Sequence, residues 1–242
     1  MKINPVGSLY YGQKSGFNGT IKQKTSTPFA VESPKTDKSN SYDYEKEYVN
    51  NFLKALNDRK DELYGYLDSE TDDNGNTIPD KLLGMFDMEN MEIEEETFLH
   101  KTSGESVESL QQNGFDSSKI NKTEYGPGFY VGRSEGALLI YPGVKMQVQY
   151  KGNTAKGKNL DKYDSIRGEV VKSLIKYLDL KQDFSNPLVW KEFEALGKFA
   201  NEYSRRTIAE KHGIDGAWAL GSDGYFVIFN PDSIKEIKQS DY

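Results

Sequence analysis

The chain has 242 residues, of which 36% are hydrophobic and 29% are charged, and its formal net charge is −7. This length can enclose a hydrophobic core, but the acidic balance argues against nucleic-acid binding through a broad basic face. Cysteine is absent, which excludes disulfides, thiolate catalysis and cysteine-ligated zinc. His100 and His212 are the only histidines, so a multi-histidine metal site is excluded as well.

The sequence predicts no membrane-spanning helix, and its N-terminus predicts no Sec signal. No stretch approaches the roughly 20 apolar residues that a spanning helix needs, and residues 1–5 do not lead into a signal-peptide core. We therefore expect a location in the cytoplasm or export by a non-Sec route. Residues 1–42 are rich in Ser, Thr, Gly, Lys and Asn and predict a disordered tail, because they bury too little apolar area to offset their ordering entropy. The tail is either a plain extension or an address for other machinery.

Residues 43–96 predict a helical and linker segment. Apolar residues recur at helical spacing between Tyr42 and Leu67, which predicts one amphipathic helix or two helices with a break near Asp58. Met85 to Glu96 is acidic with sparse apolar residues, and we interpret it as a linker or a short helix.

A loop with alternating oxygen side chains lies inside this segment, at residues 72–80. The candidate ligands are Asp72, Asn74, Asn76 and Asp80. Their spacing resembles the Asp-rich loops of thrombospondin type 3 repeats and, more loosely, an EF-hand, and it predicts a calcium site. A metal-free Asn-Gly turn between two elements explains most of the same residues, so both interpretations stay open.

Strand and turn signals are densest in residues 97–242. Period-two alternation predicts a strand over Val144 to Tyr150, and Gly114 fits the end of a helix. The other predicted strands are Phe98–Lys101, Tyr125–Val131, Tyr225–Phe229 and Ser233–Lys238; the predicted helices are Ser106–Asn113, Glu135–Tyr141, Ser165–Leu178 and Leu188–His212. Their irregular alternation predicts an α+β fold.

A candidate pocket follows from three of these residues. His100 lies in a strand, Tyr130 lies in an aromatic strand after Gly126 and Gly128, and Tyr141 follows on the next short helix. A histidine and two tyrosines can stack on a flat, amide-bearing ring and hydrogen-bond an attached ribose. The alternative is that these side chains are the buried aromatic residues of a small β-core.

Several segments, in their order along the chain, favour the pocket over the aromatic core. They resemble segments of the ADP-ribosyltransferases of the poly-ADP-ribose polymerase and diphtheria-toxin branch. The matching segments are Leu99-His100-Lys101-Thr102, Ser109 to Phe115, Tyr125-Gly126-Pro127-Gly128-Phe129-Tyr130-Val131, Gly213 to Gly216, and Tyr225 to Lys235. The resemblance covers about Thr97 to Lys238. It implies a split β-sheet core with peripheral helices over residues 97–242, preceded by the tail and the amphipathic helix.

The resemblance also implies NAD as a substrate and assigns roles by position. His100 would contact the ribose, Thr102 would line the pocket, and Gly128 would allow close approach of the ligand. Tyr130 would match the family's pocket tyrosine, and Tyr141 would stack on nicotinamide. The implied reaction breaks the nicotinamide–ribose bond and passes ADP-ribose to a nucleophile on a target.

The third segment departs from the family's pattern, because Tyr225 stands where the family has a catalytic Glu. Asp223 or Glu210 is a candidate substitute. We therefore expect a mono-ADP-ribosyltransferase that modifies a protein, by analogy a bacterial effector or toxin, with His100, Tyr130, Tyr225 and Asp223 as its candidate catalytic residues. The alternative is a catalytically inactive interaction module with the same fold.

Overall fold

The computed structural model describes residues 29–35, 41–115, 125–134, 142–219 and 224–240. Within these ranges the helices are α1 (Ser41–Asp58), α2 (Lys60–Ser69), α3 (Ile78–Leu83), α4 (Gly104–Asn113), α5 (Tyr163–Tyr177) and α6 (Pro187–Arg206). The strands are β1 (Phe86–Thr102), β2 (Phe129–Gly132), β3 (Val144–Gly157), β4 (Gly216–Trp218), β5 (Tyr225–Ile228) and β6 (Ile234–Gln239). This mixture confirms the α+β class.

The predicted amphipathic helix is two helices, with the break at Arg59 directly after Asp58. The Arg59 guanidinium binds Glu62 in the first turn of α2, with Nη2 and Oε1 2.6 Å apart. The apolar stripe is buried as its spacing predicts. Its buried side chains are Phe52, Leu56, Leu63 and Leu67.

Only part of the predicted tail can be compared with the structure, since residues 1–28 and 36–40 lie outside the described ranges. Residues 29–35 run along α1. The ring of Phe29 meets Phe52 edge-on with 5.3 Å between centroids, and Asn51 donates a hydrogen bond to the carbonyl of Glu32.

The linker or short helix predicted over Met85 to Glu96 is wrong, because β1 begins at Phe86 and runs through this stretch. β1 pairs with β3 antiparallel along its length, with an irregularity between Asp87 and Glu92. This pairing satisfies the backbone of a segment whose acidic residues disfavour a strand on their own. Lysines on β3 offset part of the charge: the ammonium of Lys151 lies 2.7 Å from the carboxylate of Glu95.

The strands form a closed ring of pairings. The sheet order is β1-β2-β5-β4-β3, and β3 also pairs with β1. β3 pairs with β4 in parallel, and β6 lies antiparallel to β3 over a different stretch. The predicted strand from Val144 to Tyr150 is therefore confirmed and longer than expected. The likeness to the ADP-ribosyltransferase split sheet stays a prediction.

Alternation along the strands produces two cores. The inner core fills the ring, and its buried members are Phe98, Phe129, Val131, Val148, Tyr150, Phe226 and Ile228. The outer core lies between the strands and the helices and includes Val227, Phe229 and residues of α1, α2, α5 and α6. One strand therefore serves both cores, because its successive side chains point to opposite faces.

The predicted helices of the second half are largely confirmed. α4 ends at Gly114, whose φ of 69° is left-handed, as expected for a glycine after a helix. α6 is followed by a π-helical turn at Thr207–Lys211. The helix predicted over Glu135 to Tyr141 lies outside the described residues. In the described part of the chain, no helix is long and apolar enough to cross a membrane.

Candidate functional site

The predicted pocket residues lie on three neighbouring strands. His100 is on β1, Tyr130 on β2 and Tyr225 on β5. β2 lies between the other two, since Leu99 pairs with Gly132 and Tyr130 pairs with Val227. Segments that are far apart in sequence are thus adjacent in the sheet.

His100 points into the ring. Its Nδ1 lies 2.8 Å from the carbonyl oxygen of Tyr130, and its ring lies 4.3 Å from the ring of Phe129. Burial lowers the pKa of His100, and the hydrogen bond to the carbonyl raises it by less. A carbonyl can only accept, so Nδ1 carries the proton and Nε2 of the neutral ring is an acceptor. The ring therefore has a fixed tautomer, and its Nε2, which has no hydrogen-bond partner among the described residues, can accept a hydrogen bond.

The ring of Tyr130 lies on the outer face. Its hydroxyl donates to the carbonyl of Gly126 at 2.8 Å and accepts from the amide of Tyr125 at 2.9 Å. The ring of Tyr125 lies 6.4 Å from that of Tyr130 and 6.4 Å from that of Tyr225. Tyr130 and Tyr225 thus share the outer face and the neighbour Tyr125, whereas His100 contacts the backbone carbonyl of Tyr130.

Gly128 serves strand packing in this structure. A Cβ at this position would lie 2.4 Å from Cγ1 of Val227 and 2.6 Å from the carbonyl oxygen of Ile228. The close approach that the resemblance assigns to a ligand is made here by β5. Thr102 is the last residue of β1 and pairs with Val144 of β3.

Two predicted residues, Tyr141 and Asp223, lie outside the described residues. Glu210, the other candidate acid, lies in the π-helical turn after α6, where its carboxylate is 2.7 Å from Arg206. The guanidinium lowers the pKa of Glu210. Glu210 is therefore held in an ion pair on its own helix.

Sequence reasoning missed a charged cluster on the same face of β1 as His100. Arg133 forks onto Glu96 at 2.7 and 2.6 Å and lies 3.3 Å from Glu94. The indole of Trp218 donates to Glu94 at 2.9 Å, and the guanidinium stacks 4.3 Å from the indole. Burial raises the pKa of Glu94, whereas Arg133 lowers that of Glu96.

This cluster has a signal in the sequence. Glu94, Glu96, Phe98 and His100 alternate with a period of two, which puts all four on one face of a strand. Phe98 is fully buried and lies between the acids and the histidine along β1. The two carboxylates therefore stand at one end of the inner face, and His100 stands at the other.

The oxygen-rich loop at residues 72–80 is held by its own hydrogen bonds. Oδ1 of Asp72 accepts from the amides of Asn74 and Asn76, both at 2.9 Å, and Oδ2 lies 2.9 Å from the ammonium of Lys81. Lys81 and these amides lower the pKa of Asp72 to about 2. Asp80 and Thr77 form a capping box at the start of α3.

These contacts bear on the fit of a calcium ion. The ammonium of Lys81 already forms an ion pair with Asp72. The carboxylate of Asp80 accepts hydrogen bonds from the backbone amide and the hydroxyl of Thr77. Among the described residues, no group of three or more acidic or histidine side chains is arranged for a metal. A calcium ion at this loop would have to displace Lys81, so the metal-free turn fits the geometry better. The calcium site stays a prediction.

A cleft of about 700 Å³ lies where β1 begins. It is lined by Asp80, Leu83, Gly84, Phe86, Asp87, Met88, Glu89, Lys156, Gly157 and Lys158. Its lining combines carboxylates with lysines, and among the described residues none of those predicted for the NAD pocket lines it. We therefore assign it no role in NAD binding.

The chain matches no family model, no curated protein and no solved structure. Its function must be argued from its own residues. The observations that bear on function are the fixed tautomer of His100, the adjacency of β1, β2 and β5, and the position of Tyr225.

Proposed function

We propose that the protein is a mono-ADP-ribosyltransferase that cleaves NAD and transfers ADP-ribose to a protein target. The observation that carries the proposal is the bond between Nδ1 of His100 and the carbonyl of Tyr130, at 2.8 Å. It joins the first two motif strands and leaves Nε2 as an acceptor for a ribose hydroxyl. The motif order along the chain and the adjacency of β5 support the same proposal.

In the proposed reaction, the bond between nicotinamide and the ribose C1 breaks and its electron pair leaves with nicotinamide. A nucleophile on the target then bonds to C1 and loses its proton. In this proposal His100 orients the ribose, and Thr102 and Tyr141 keep the roles that the resemblance implies. The resemblance also gives Gly128 and Tyr130 ligand contacts, but β5 fills the space at Gly128 and the ring of Tyr130 lies on the outer face, so the proposal does not rest on ligand contacts by these two residues. A bacterial effector or toxin is the setting that analogy suggests.

The absence of a Glu at position 225 sets the expected rate. Loss of one preorganised group that stabilises transition-state charge typically costs about 3 kcal/mol of barrier. We therefore expect slow transfer of single ADP-ribose units, unless Asp223 takes this role.

Nicotinamide release from NAD tests the proposal. Wild-type protein should release nicotinamide and modify itself or an added protein, and His100→Ala should lose this activity. His212→Ala is the matched control, because His212 contacts the carbonyl of Pro79 at the start of α3 and should leave turnover intact. Absence of both nicotinamide release and a thermal shift with NAD would refute the proposal.

Tyr225→Glu tests the position of the missing carboxylate. If Tyr225 occupies the family's Glu position, this variant should hydrolyse NAD faster than wild type. Tyr225→Gln should not, because glutamine has the shape of glutamate without its charge. Equal rates for the two variants would contradict the assignment of position 225.

A second candidate function is an inactive module that binds a nucleotide or a partner without turnover. The observation in its favour is that the rings of Tyr130 and Tyr225 lie on the face opposite to His100. Calorimetry with NAD separates the candidates, since binding without nicotinamide release supports the module.

A further inference from the structure

An aromatic cluster with two exposed rings and one half-buried ring lies at the start of α6, outside the proposed pocket. It consists of Phe184, Trp190 and Phe193, which we call the aromatic patch. The ring of Phe184 lies 5.2 Å from that of Trp190 and 5.5 Å from that of Phe193. Trp190 is 60% exposed and Phe184 is 48% exposed. Clustered exposed aromatic residues mark binding surfaces, and Trp is the residue most enriched at binding hot spots.

The surroundings of the aromatic patch are acidic. Residues 179–198 carry four carboxylates and three lysines, and residues 43–47 carry three carboxylates and one lysine. Lys198 pairs with Glu194 at 3.1 Å, and the two segments together keep a net charge of −3. These two segments are adjacent, because Tyr48 donates to Glu192 at 2.5 Å and Lys191 lies 3.9 Å from Glu45. An apolar centre with an acidic rim favours a cationic segment with apolar side chains, and it disfavours anionic lipid and nucleic acid.

We propose that residues 1–28 of this chain bind the aromatic patch. This segment carries four lysines, no carboxylate and three aromatic residues, Tyr10, Tyr11 and Phe17. This segment has a charge of +4 and the whole chain has a net charge of −7, so the rest of the chain has a net charge of −11. The segment therefore matches both the rim, by charge, and the centre, by aromatic content.

The place where the described chain begins permits this contact. Phe29 packs against Phe52 of α1, and Tyr48, one turn earlier on α1, reaches Glu192 beside the patch. A segment of 28 residues spans up to about 90 Å when extended. Attachment next to α1 also raises the effective concentration of the segment at the patch.

The experiment uses the full chain and its two tryptophans. Trp218→Phe leaves Trp190 as the only tryptophan, so its emission reports on the patch alone. If residues 1–28 bind there, Trp190 should emit at short wavelength and be poorly quenched by acrylamide. Replacing Tyr10, Tyr11 and Phe17 with Ser should shift the emission to longer wavelength and raise the quenching constant. Lys14→Glu with Lys22→Glu should act in the same direction.

Tyr42→Ser is the matched control, because Tyr42 is 74% exposed and lies on α1. It should leave the emission of Trp190 unchanged, and circular dichroism should show that every variant keeps its helices. The proposal is overturned if acrylamide quenches Trp190 fully in the full chain, or if replacing Tyr10, Tyr11 and Phe17 leaves its emission unchanged. It is also overturned if the protection of Trp190 from acrylamide depends on protein concentration. The last result would assign the patch to a second copy.

Discussion

At the scale of single residues, His100 links folding to protonation. Its imidazole is buried against Phe129 and bonded to the carbonyl of Tyr130, and burial lowers its pKa below the ordinary value. The folded protein therefore binds this proton less readily than the unfolded chain. His212 shares this direction, because burial lowers its pKa as well.

We expect stability to fall as the pH drops below the unfolded histidine pKa, about 6.5. The melting temperature should be flat above about pH 7.5 and should decrease toward pH 5, since protons then stabilise the unfolded chain. His100→Gln keeps a side-chain N–H donor without titrating, so it should weaken this decrease. Thermal melts of both proteins at pH 8 and pH 5.5 measure the difference. Equal losses in wild type and His100→Gln would contradict the prediction.

Gly128 is a second single residue on which the stability of the fold depends, through its packing. Since its Cβ would overlap with Val227 and Ile228 of β5, Gly128→Ala should destabilise the fold by about 2 kcal/mol. Gly65 is the control, because its Cβ would meet nothing within 4 Å in α2 and Ala favours a helix, so Gly65→Ala should stabilise by about 0.5 kcal/mol. Urea unfolding measures both. An unchanged midpoint for Gly128→Ala would show that β5 can move away.

At the scale of elements, β1 and β2 share one backbone pairing, Leu99 with Gly132, beside the bond from the His100 side chain to the Tyr130 carbonyl. The next residue, Arg133, adds a forked ion pair with Glu96 and a stack on Trp218. Because a lysine has no planar fork, Arg133→Lys keeps the charge and loses this geometry.

We predict faster amide exchange along β2 in Arg133→Lys than in wild type. Lys151→Ala removes the exposed ion pair between Lys151 of β3 and Glu95 of β1. It should leave amide exchange in β2 unchanged, because exposed ion pairs contribute little to stability. Hydrogen-exchange mass spectrometry on both variants provides the comparison. Identical exchange in β2 would mean that Arg133 does not hold the two strands together.

The calcium prediction also belongs to this scale. Since Lys81 already neutralises Asp72, we expect calcium or a chelator to leave the melting temperature unchanged. Lys81→Ala frees Asp72 and should make the loop more responsive to calcium. A rise in the wild-type melting temperature with calcium would instead support the metal site.

Elements with a clear period were predictable from the sequence, and β1 was not. Val144 to Tyr150 alternates between apolar and polar residues, and Gly114 marks the end of α4, so local residues were sufficient for both. The acidic stretch before Thr97 has low strand propensity. It becomes a strand because β3 pairs with it and supplies Lys151, which local reasoning could not detect. The face of Tyr130 was predictable in principle, since Phe129 and Val131 alternate with it.

At the scale of the whole molecule, two cores share the same strands. Phe226 is buried in the inner core. The centroid of its aromatic ring lies 4.6 Å from that of Phe98 and 4.9 Å from that of Trp218, and its neighbour Val227 lies in the outer core. Loosening of one core should therefore loosen the other. The parallel pairing of β3 with β4 that closes the ring joins distant segments, so sequence periodicity could not predict it.

Phe226→Ala should destabilise the whole protein by about 3–5 kcal/mol, and helix signal and tryptophan emission should still change together. Ile93→Ala, at a side chain that is 74% exposed, should change stability by less than about 0.5 kcal/mol. Guanidinium unfolding followed by circular dichroism and fluorescence tests both. Separate transitions for the two signals would show that the cores unfold independently.

The closed ring also sets a condition on folding during synthesis. β1 and β3 can pair once Gly157 has left the ribosome, but β4 and β5, which close the ring, come only with Gly216–Trp218 and Tyr225–Ile228. Phe98 and Tyr150 must wait for Phe226 before their contacts are complete. A nascent chain that stops before residue 225 therefore exposes the aromatic interior of an open sheet, and it is the form most in need of a chaperone.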